Sequence, residues 1–144
     1  MRLILCLMAA GVLACGGCKA ARPATVTIGE NTWNVELAIT PEQQYKGLSG
    51  RYEIAPDGGM LFINTKEGIL RFCMRDCHVP IDIVFINSAM EVVNVYEMQV
   101  EEDCSGNITY SSHLPALYAL ELAGGTIRRD GIKIGDKVKI SMPQ

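Results

Sequence analysis

The sequence predicts a mainly β protein, a single compact β-sandwich or barrel of six or more strands with one or two short helices. Three observations carry this expectation. The chain has 144 residues, 49% of them hydrophobic and 20% charged, which is enough to bury one core and too little for two. Its apolar residues fall in short runs, several of them alternating with polar residues and bounded by Gly, Asn, Ser or Lys-Glu turn signals. Only two short stretches carry helix punctuation.

Thr25-Val26-Thr27-Ile28 alternates, Gly29-Glu30-Asn31 supplies a turn, and Thr32 to Ile39 puts Trp33, Val35, Leu37 and Ile39 on one face, so an opening hairpin is expected. Thr40-Pro41-Glu42-Gln43 reads as a helix start. Thr40 is the N-cap, Pro41 takes the first position, where its missing N–H costs nothing, and Gln43 closes a capping box. This helix ends near Gly47. Gly58-Gly59 precedes the apolar run Met60 to Ile63, and Lys66-Glu67-Gly68 separates it from Ile69 to Met74, which suggests a second hairpin. Ile81 to Ile86 is an apolar strand broken only by Asp82. Asn87-Ser88-Ala89 turns the chain into Met90 to Met98, where Val92, Val93 and Val95 favour extended backbone, for a third pairing. Glu101 to Leu114 is polar and turn-rich and reads as a surface loop. Tyr118 to Leu122 and Lys137 to Met142 read as closing strands, with Thr126 to Asp130 a helical turn stopped by Gly131.

Ahead of the domain, Met1 to Ala14 (MRLILCLMAAGVLA) has one basic residue, then an apolar run ending in small residues, the pattern of a secretory signal. It falls short of the about 20 apolar residues of a spanning helix. Val12-Leu13-Ala14-Cys15 resembles the bacterial lipoprotein box, which makes Cys15 the candidate for lipidation and Cys18 a second choice. Cleavage near Ala20 or Ala21, leaving a free periplasmic protein, is the alternative. The expected organisation is a leader with the start of a tether over 1–18 and one β-rich domain over 24–143. The protein is expected to be exported, to the periplasm or the outer surface of a bacterial envelope, and to meet the membrane only through an N-terminal lipid.

Charge narrows the partners. The chain carries 13 Lys and Arg against 16 Asp and Glu, net −3, and loss of Arg2 with the leader leaves −4. No basic surface is expected to draw nucleic acid by counterion release.

Polar residues inside apolar strands mark where chemistry could sit. Alternation puts Ile81, Ile83 and Phe85 on one face and Asp82, Val84 and Ile86 on the other. A carboxylate among them needs a partner, because an unpaired buried charge costs several kcal/mol. Arg51, Arg71 and Arg75 are the candidates for Asp82. Glu121, which shares parity with Leu117 and Ala119, poses the same demand.

Cys73, Cys77 and Cys104 remain in the domain, and pairing is expected in an oxidising envelope. On one extended strand Cys73 and Cys77 would lie about 13 Å apart, beyond the roughly 7 Å that a disulfide spans. A bridge to Cys104 from Cys77, preferred for its place before Pro80, or from Cys73 is therefore open beside a looped Cys73–Cys77 closure. Cys73-x3-Cys77-His78 lacks the two-residue spacing of zinc and dithiol redox sites, so neither a metal nor a cofactor is expected. His113 should face water, and Met60, Met74, Met90 and Met98 suit core packing better than copper ligation.

Several ordered motifs resemble a known family, the domain of unknown function 192, over nearly all of the mature chain. They are Thr40-Pro41-Glu42 with Lys46-Gly47-Leu48 and Arg51, Gly59 to Phe62, Phe72 to Ile83, and Leu120-Glu121-Leu122 with Gly125 and Gly135-Asp136. The family's central run resembles Phe-Trp-Met-Lys-Asn-Thr ahead of Ile-Pro-Leu-Asp. Here Cys73 replaces Trp, Arg75 Lys, Asp76 Asn and Cys77 Thr. The resemblance implies a compact β-rich domain, often exported, with no established activity to carry over. Resemblance and strand parity together select Arg51, Met74, Arg75, Asp76, Asp82 and Glu121 as candidate ligand-binding residues. Three functions stay open. The first is an envelope module that binds a small polar molecule or an envelope protein. The second is a hydrolase-like enzyme in which Asp82 or Glu121 acts as base while Arg51 or Arg75 holds an anionic group. The third is a structural accessory domain.

Overall fold

The computed structural model describes residues 23–143. The leader, Cys15 and Cys18 lie outside the described residues. The domain is mainly β, with nine strands and two short helices among the described residues. Seven strands form one curled sheet in the order β6-β5-β8-β3-β2-β1-β9, and β4 and β7 form a separate two-stranded ribbon.

The opening hairpin is present as β1 (Ala24–Ile28) and β2 (Asn31–Ala38), antiparallel with Val26 opposite Trp33. Trp33 and Val35 are buried as alternation requires, but β2 stops at Ala38 and Ile39 is exposed. The chain leaves the sheet there to enter α1 (Pro41–Lys46). Its capping box is complete: the Gln43 amide donates to Thr40 Oγ1 at 3.2 Å, and Gln43 Oε1 accepts from the Thr40 amide at 3.0 Å. Gly47 ends the helix at φ 49°, ψ −135°, a conformation that only glycine adopts without strain.

The expected second hairpin does not form. β3 (Gly58–Gly68) lies parallel to β2 and antiparallel to β8 (Ala116–Ala123), whereas β4 (Arg71–Phe72) leaves the sheet to pair with β7 (Tyr110–Ser111) inside the stretch read as loop. The four consecutive buried residues Gly59 to Phe62 explain this. A segment buried on both faces needs a neighbour along each edge and fits only the middle of a sheet. β5 (Ile81–Ile86) pairs with β6 (Val92–Met98) as expected, and β8 slots between β5 and β3 instead of closing an edge. Met60, Met74 and Met98 are core residues, but Met90 sits half-buried in the β5–β6 turn at φ 58°. α2 (Thr126–Asp130) is stopped by Gly131 at φ 68°, and β9 (Val138–Ser141) completes the sheet.

The curl brings the two edge strands together at one end. Val138 donates its amide to the Met90 carbonyl at 2.9 Å, Val92 to Asp136 at 2.9 Å, and Glu91 bridges to Lys137. The enclosed face therefore collects apolar residues from across the sheet, among them Val26, Trp33, Leu61, Val84, Leu120, Leu122 and Val138, with Ile127 and Ile132 from the α2 region. The other face carries Met60, Phe62, Ile81, Ile83, Phe85 and Ala119, covered by Leu48, Met74, Cys77 and the β4–β7 ribbon. An edge-to-face aromatic chain, Phe62–Phe72–Phe85–Tyr96–Tyr110, at 4.9 to 6.3 Å between neighbouring centroids, fastens that ribbon. No helix among the described residues is long and apolar enough to cross a membrane.

Candidate functional site

Glu121 opens the description of the site because it is the one buried polar side chain whose demand is unmet among the described residues. Strand register fixes where it points. Glu121 lies between Met60 of β3 and Ile83 of β5, so its side chain enters the outer core beside Phe62. It is 5% exposed, and its Oε2 has no hydrogen-bond partner. Burial pushes its pKa up from 4.5 to about 8, against a weaker pull downward from the Arg51 charge. At neutral pH the carboxyl therefore holds its proton and can donate.

Above it lies a cavity of about 280 Å³. The end of α1 and the following turn form one wall (Tyr45, Lys46, Gly47, Ser49), and Phe62 with Phe72 forms the apolar lining. Arg71, Cys73, Arg75 and Cys77 form the other wall. Gly47 holds the cavity open, since a Cβ there would sit 3.2 Å from the Phe62 ring and 3.7 Å from Glu121 Oε2. Arg75 lies 3.9 Å over the Tyr45 ring and donates to the Tyr45 carbonyl at 2.8 Å, which ties the two walls together. The volume is near the lower end of the ~300–1,000 Å³ usual for ligand pockets, which suits a small metabolite.

Of the six candidate residues the structure brings Arg75 and Glu121 into this cavity, and the other four have different places. Met74 is fully buried in the core. Asp76 exposes its carboxylate, 3.7 Å from Arg75 Nε, and its backbone does the structural work. At φ 54° its amide donates to the Cys104 carbonyl at 3.0 Å, and its carbonyl accepts from Gly50 at 2.8 Å. Asn and Asp both tolerate that left-handed backbone, which gives the exchange at position 76 a physical reason. Arg51 makes a bidentate pair with Glu36 at 2.6 and 2.8 Å and reaches Glu121 only through its charge. The Arg51 guanidinium holds the Glu36 carboxyl below its usual range.

The expectation that an arginine pairs with Asp82 is overturned. Asp82 is buried on the enclosed face, the opposite face from Glu121, and its Oδ1 and Oδ2 accept from the amides of Gly125 at 3.1 Å and Ile127 at 2.7 Å. Gly125 at the start of α2 has no side chain to cap the helix, and Asp82 supplies that carboxylate from across the sheet. Burial raises its pKa, and the two amides oppose the rise. Asp82 and Glu121 therefore share no site. Asp82→Asn turns an NH2 group toward one of those amides and should cost about 2 kcal/mol. That loss is read as a lower urea midpoint at unchanged slope, and a variant as stable as the wild type would refute the cap.

Cys73, Cys77 and Cys104 are free thiols. Burial pushes the Cys77 thiol up to about 11, and the nearby Glu121 charge adds to the rise. Cys104 Sγ approaches the Cys77 carbonyl at 3.8 Å. His78 is exposed and stacks on Tyr52 at 4.3 Å between ring centroids, and His113 is exposed. Among the described residues no group of three His, Cys, Asp or Glu side chains is placed to hold a metal.

Strand parity missed Tyr45, Lys46, Gly47 and Phe62. The signal was present in Lys46-Gly47-Leu48, one of the runs shared with the resembling family, where a glycine directly after a helix marks a close approach.

Among the solved structures similar to this chain are two bacterial proteins. A protein of unknown function from Novosphingobium aromaticivorans DSM 12444 is 35% identical, with a TM-score of 0.74 over 83% of this chain and 84% of that one. A Sinorhizobium meliloti 1021 protein, to which a transcription-regulator role has been ascribed, is 29% identical, with a TM-score of 0.74 over 85% of this chain and 97% of that one. No curated protein matches. The family described as uncharacterized ACR, domain of unknown function 192 (DUF192), matches residues 24–140, and the chain belongs to that family.

Proposed function

We propose that this protein is an exported cell-envelope module that binds a small polar molecule in the Glu121 cavity. One observation carries the reading: a buried carboxyl, one oxygen of which has no partner in the fold, belongs to the lining of an open, preformed cavity. Folding alone offers no return for a charge-capable group placed there, whereas a bound molecule would satisfy it. The test is a thermal-shift screen of the full chain against sugars, amino acids, organic acids and metals. A hit whose shift disappears in Phe62→Trp, which fills the cavity, supports the reading. Hits that persist in that variant, or an absence of hits across the screen, would end it.

A hydrolase-like reading draws on the same group. Glu121 holds a proton at neutral pH and would act as acid, with Arg75 on the substrate, while Asp82 is committed to the α2 cap. Turnover of a hit, lost in Glu121→Gln, would favour it over simple binding. The regulator role of the S. meliloti protein is not extended to this chain.

The leader pattern and Cys15 support export with a lipid anchor. Palmitate labelling that is present in wild type and absent in Cys15→Ser is the expected result. Labelling lost in Cys18→Ser instead would move the anchor, and none in wild type would leave secretion alone. In that oxidising setting we propose that Cys77 and Cys104 join. Their two thiols would give two electrons and two protons to a disulfide oxidant such as oxidised glutathione. The Asp76–Cys104 backbone bond already holds the two loops together. The bridge should add about 2–4 kcal/mol and leave Cys73 as the free thiol among the described residues. Peptide mapping that finds Cys73 in the bridge would overturn it.

A further inference from the structure

The charge around the cavity is opposite to that of the chain. Three cations line it, Lys46 from α1, Arg71 from β4 and Arg75 from the following turn, in a protein of net −3. Among the described residues Lys46 and Arg71 make no ion pair, and Arg75 has only Asp76, at 3.7 Å. Glu121 is the only carboxyl in the lining. The cavity lining thus combines three cations, the Phe62 and Phe72 rings and a buried carboxyl whose Oε2 has no partner.

We infer that the molecule bound here is a small oxyanion, a carboxylate or phosphate ester, held by Arg71, Arg75 and Lys46 and bearing a hydroxyl or carbonyl oxygen that accepts a hydrogen bond from Glu121. This inference rests on the binding function proposed above and names the ligand class. Guanidinium groups match both kinds of oxyanion through paired N–H donors. A cationic ligand would meet three like charges in the lining, and a purely apolar one would leave Glu121 unsatisfied. Glu121 loses its donor when it ionises, and its negative charge then lies in the path of an incoming anion. Binding should therefore weaken as pH rises through about 8. The other titratable or charged groups that line the cavity are Tyr45, Lys46, Arg71, Cys73, Arg75 and Cys77. Arg51 with Glu36, and Asp76, lie beside it, and the surrounding elements also carry Glu42, Lys66, Glu67, Asp82, Tyr110 and Tyr118 outside the lining. Glu121→Gln separates the contribution of Glu121 from all of these, since an amide donates at every pH.

The experiment is calorimetric titration of the full chain with lactate and glycerol 3-phosphate as oxyanion probes. Propane-1,2-diol and glycerol lack the anion, acetate and inorganic phosphate lack the second oxygen function, and 1-amino-2-propanol reverses the charge. The expected result is binding of lactate or glycerol 3-phosphate at pH 6.5, at least tenfold tighter than every control. Which of the two binds separates a carboxylate from a phosphate ligand. Affinity should fall about tenfold between pH 7 and 9 in wild type and stay constant in Glu121→Gln, and Arg71→Ala should lower it about tenfold. Alkylation of Cys73 by N-ethylmaleimide, slowed by the bound probe, places the binding in this cavity. Tighter binding of the neutral polyols or the amine, with Cys73 protected, would overturn the oxyanion class and leave the binding function standing. Failure of every probe to bind or to protect Cys73 would overturn the oxyanion class, and the screen above then decides the binding function on its own.

Discussion

Between pH 4.5 and 8.5 the domain is expected to lose about 4 kcal/mol of unfolding free energy as Glu121 gives up its proton, a loss that Glu121→Gln should not share. The folded carboxyl titrates at about 8 because burial disfavours its charged form, against 4.5 when exposed. Between those values the folded chain holds a proton that the unfolded chain has released, so stability falls with rising pH. The contribution is fully present well below 4.5 and is lost as pH rises through about 8. Set against the about 5–15 kcal/mol that holds a typical domain together, this loss brings the protein close to unfolding at alkaline pH. Asp82, whose pKa burial also raises, adds to the trend. Glu36 and Asp130, held low by Arg51 and Arg129, work in the other direction, and their stabilisation is lost as the solution turns acid. Urea unfolding at pH 5, 6.5 and 8.5 measures all of this. Parallel profiles for wild type and Glu121→Gln would show that Glu121 is hydrated and that the cavity floor is wrongly described.

Gly59→Ala is expected to cost more than about 4 kcal/mol and to leave little folded protein. A Cβ at Gly59 would lie 2.4 Å from the Glu121 carbonyl oxygen and 2.9 Å from Leu122 Cδ2, distances that no rotamer relieves because the first contact is backbone. β3 and β8 would have to part at the Gly59–Leu122 pair, in the interior of the sheet. Glu121 sits one residue from that pair, so the same substitution would let water reach it and return its pKa toward 4.5. Gly68→Ala is the control. A Cβ there meets nothing within 4 Å, and its midpoint should stay within about 1 °C of wild type. Equal effects at the two glycines would mean that backbone freedom, and not close strand approach, governs both.

What local chemistry dictates was legible in the sequence. Thr40, Pro41 and Gln43 lie next to one another, and the capping box forms as read. Gly131 ends α2, and the alternation of Ile81, Ile83 and Phe85 against Asp82, Val84 and Ile86 sorts β5 onto its two faces. That Asp82 and Glu121 are buried acids with needs to meet was equally readable, since both interrupt apolar runs. What meets those needs was decided elsewhere. Parity orders residues within a strand, but the pairing of Ile83 with Glu121 sets β8 against β5 so that the two acids face opposite ways. α2, brought over the enclosed face, offers Asp82 two backbone amides, which have no signature in side-chain sequence. The turn after α1 and the loop after β4 leave a gap over Glu121, and the sum of these long-range placements makes the cavity. Hydrogen bonds between neighbours in the chain follow from residue type, whereas contacts between distant segments follow from which edges a sheet leaves to be paired, and that is settled only when the whole core is buried together.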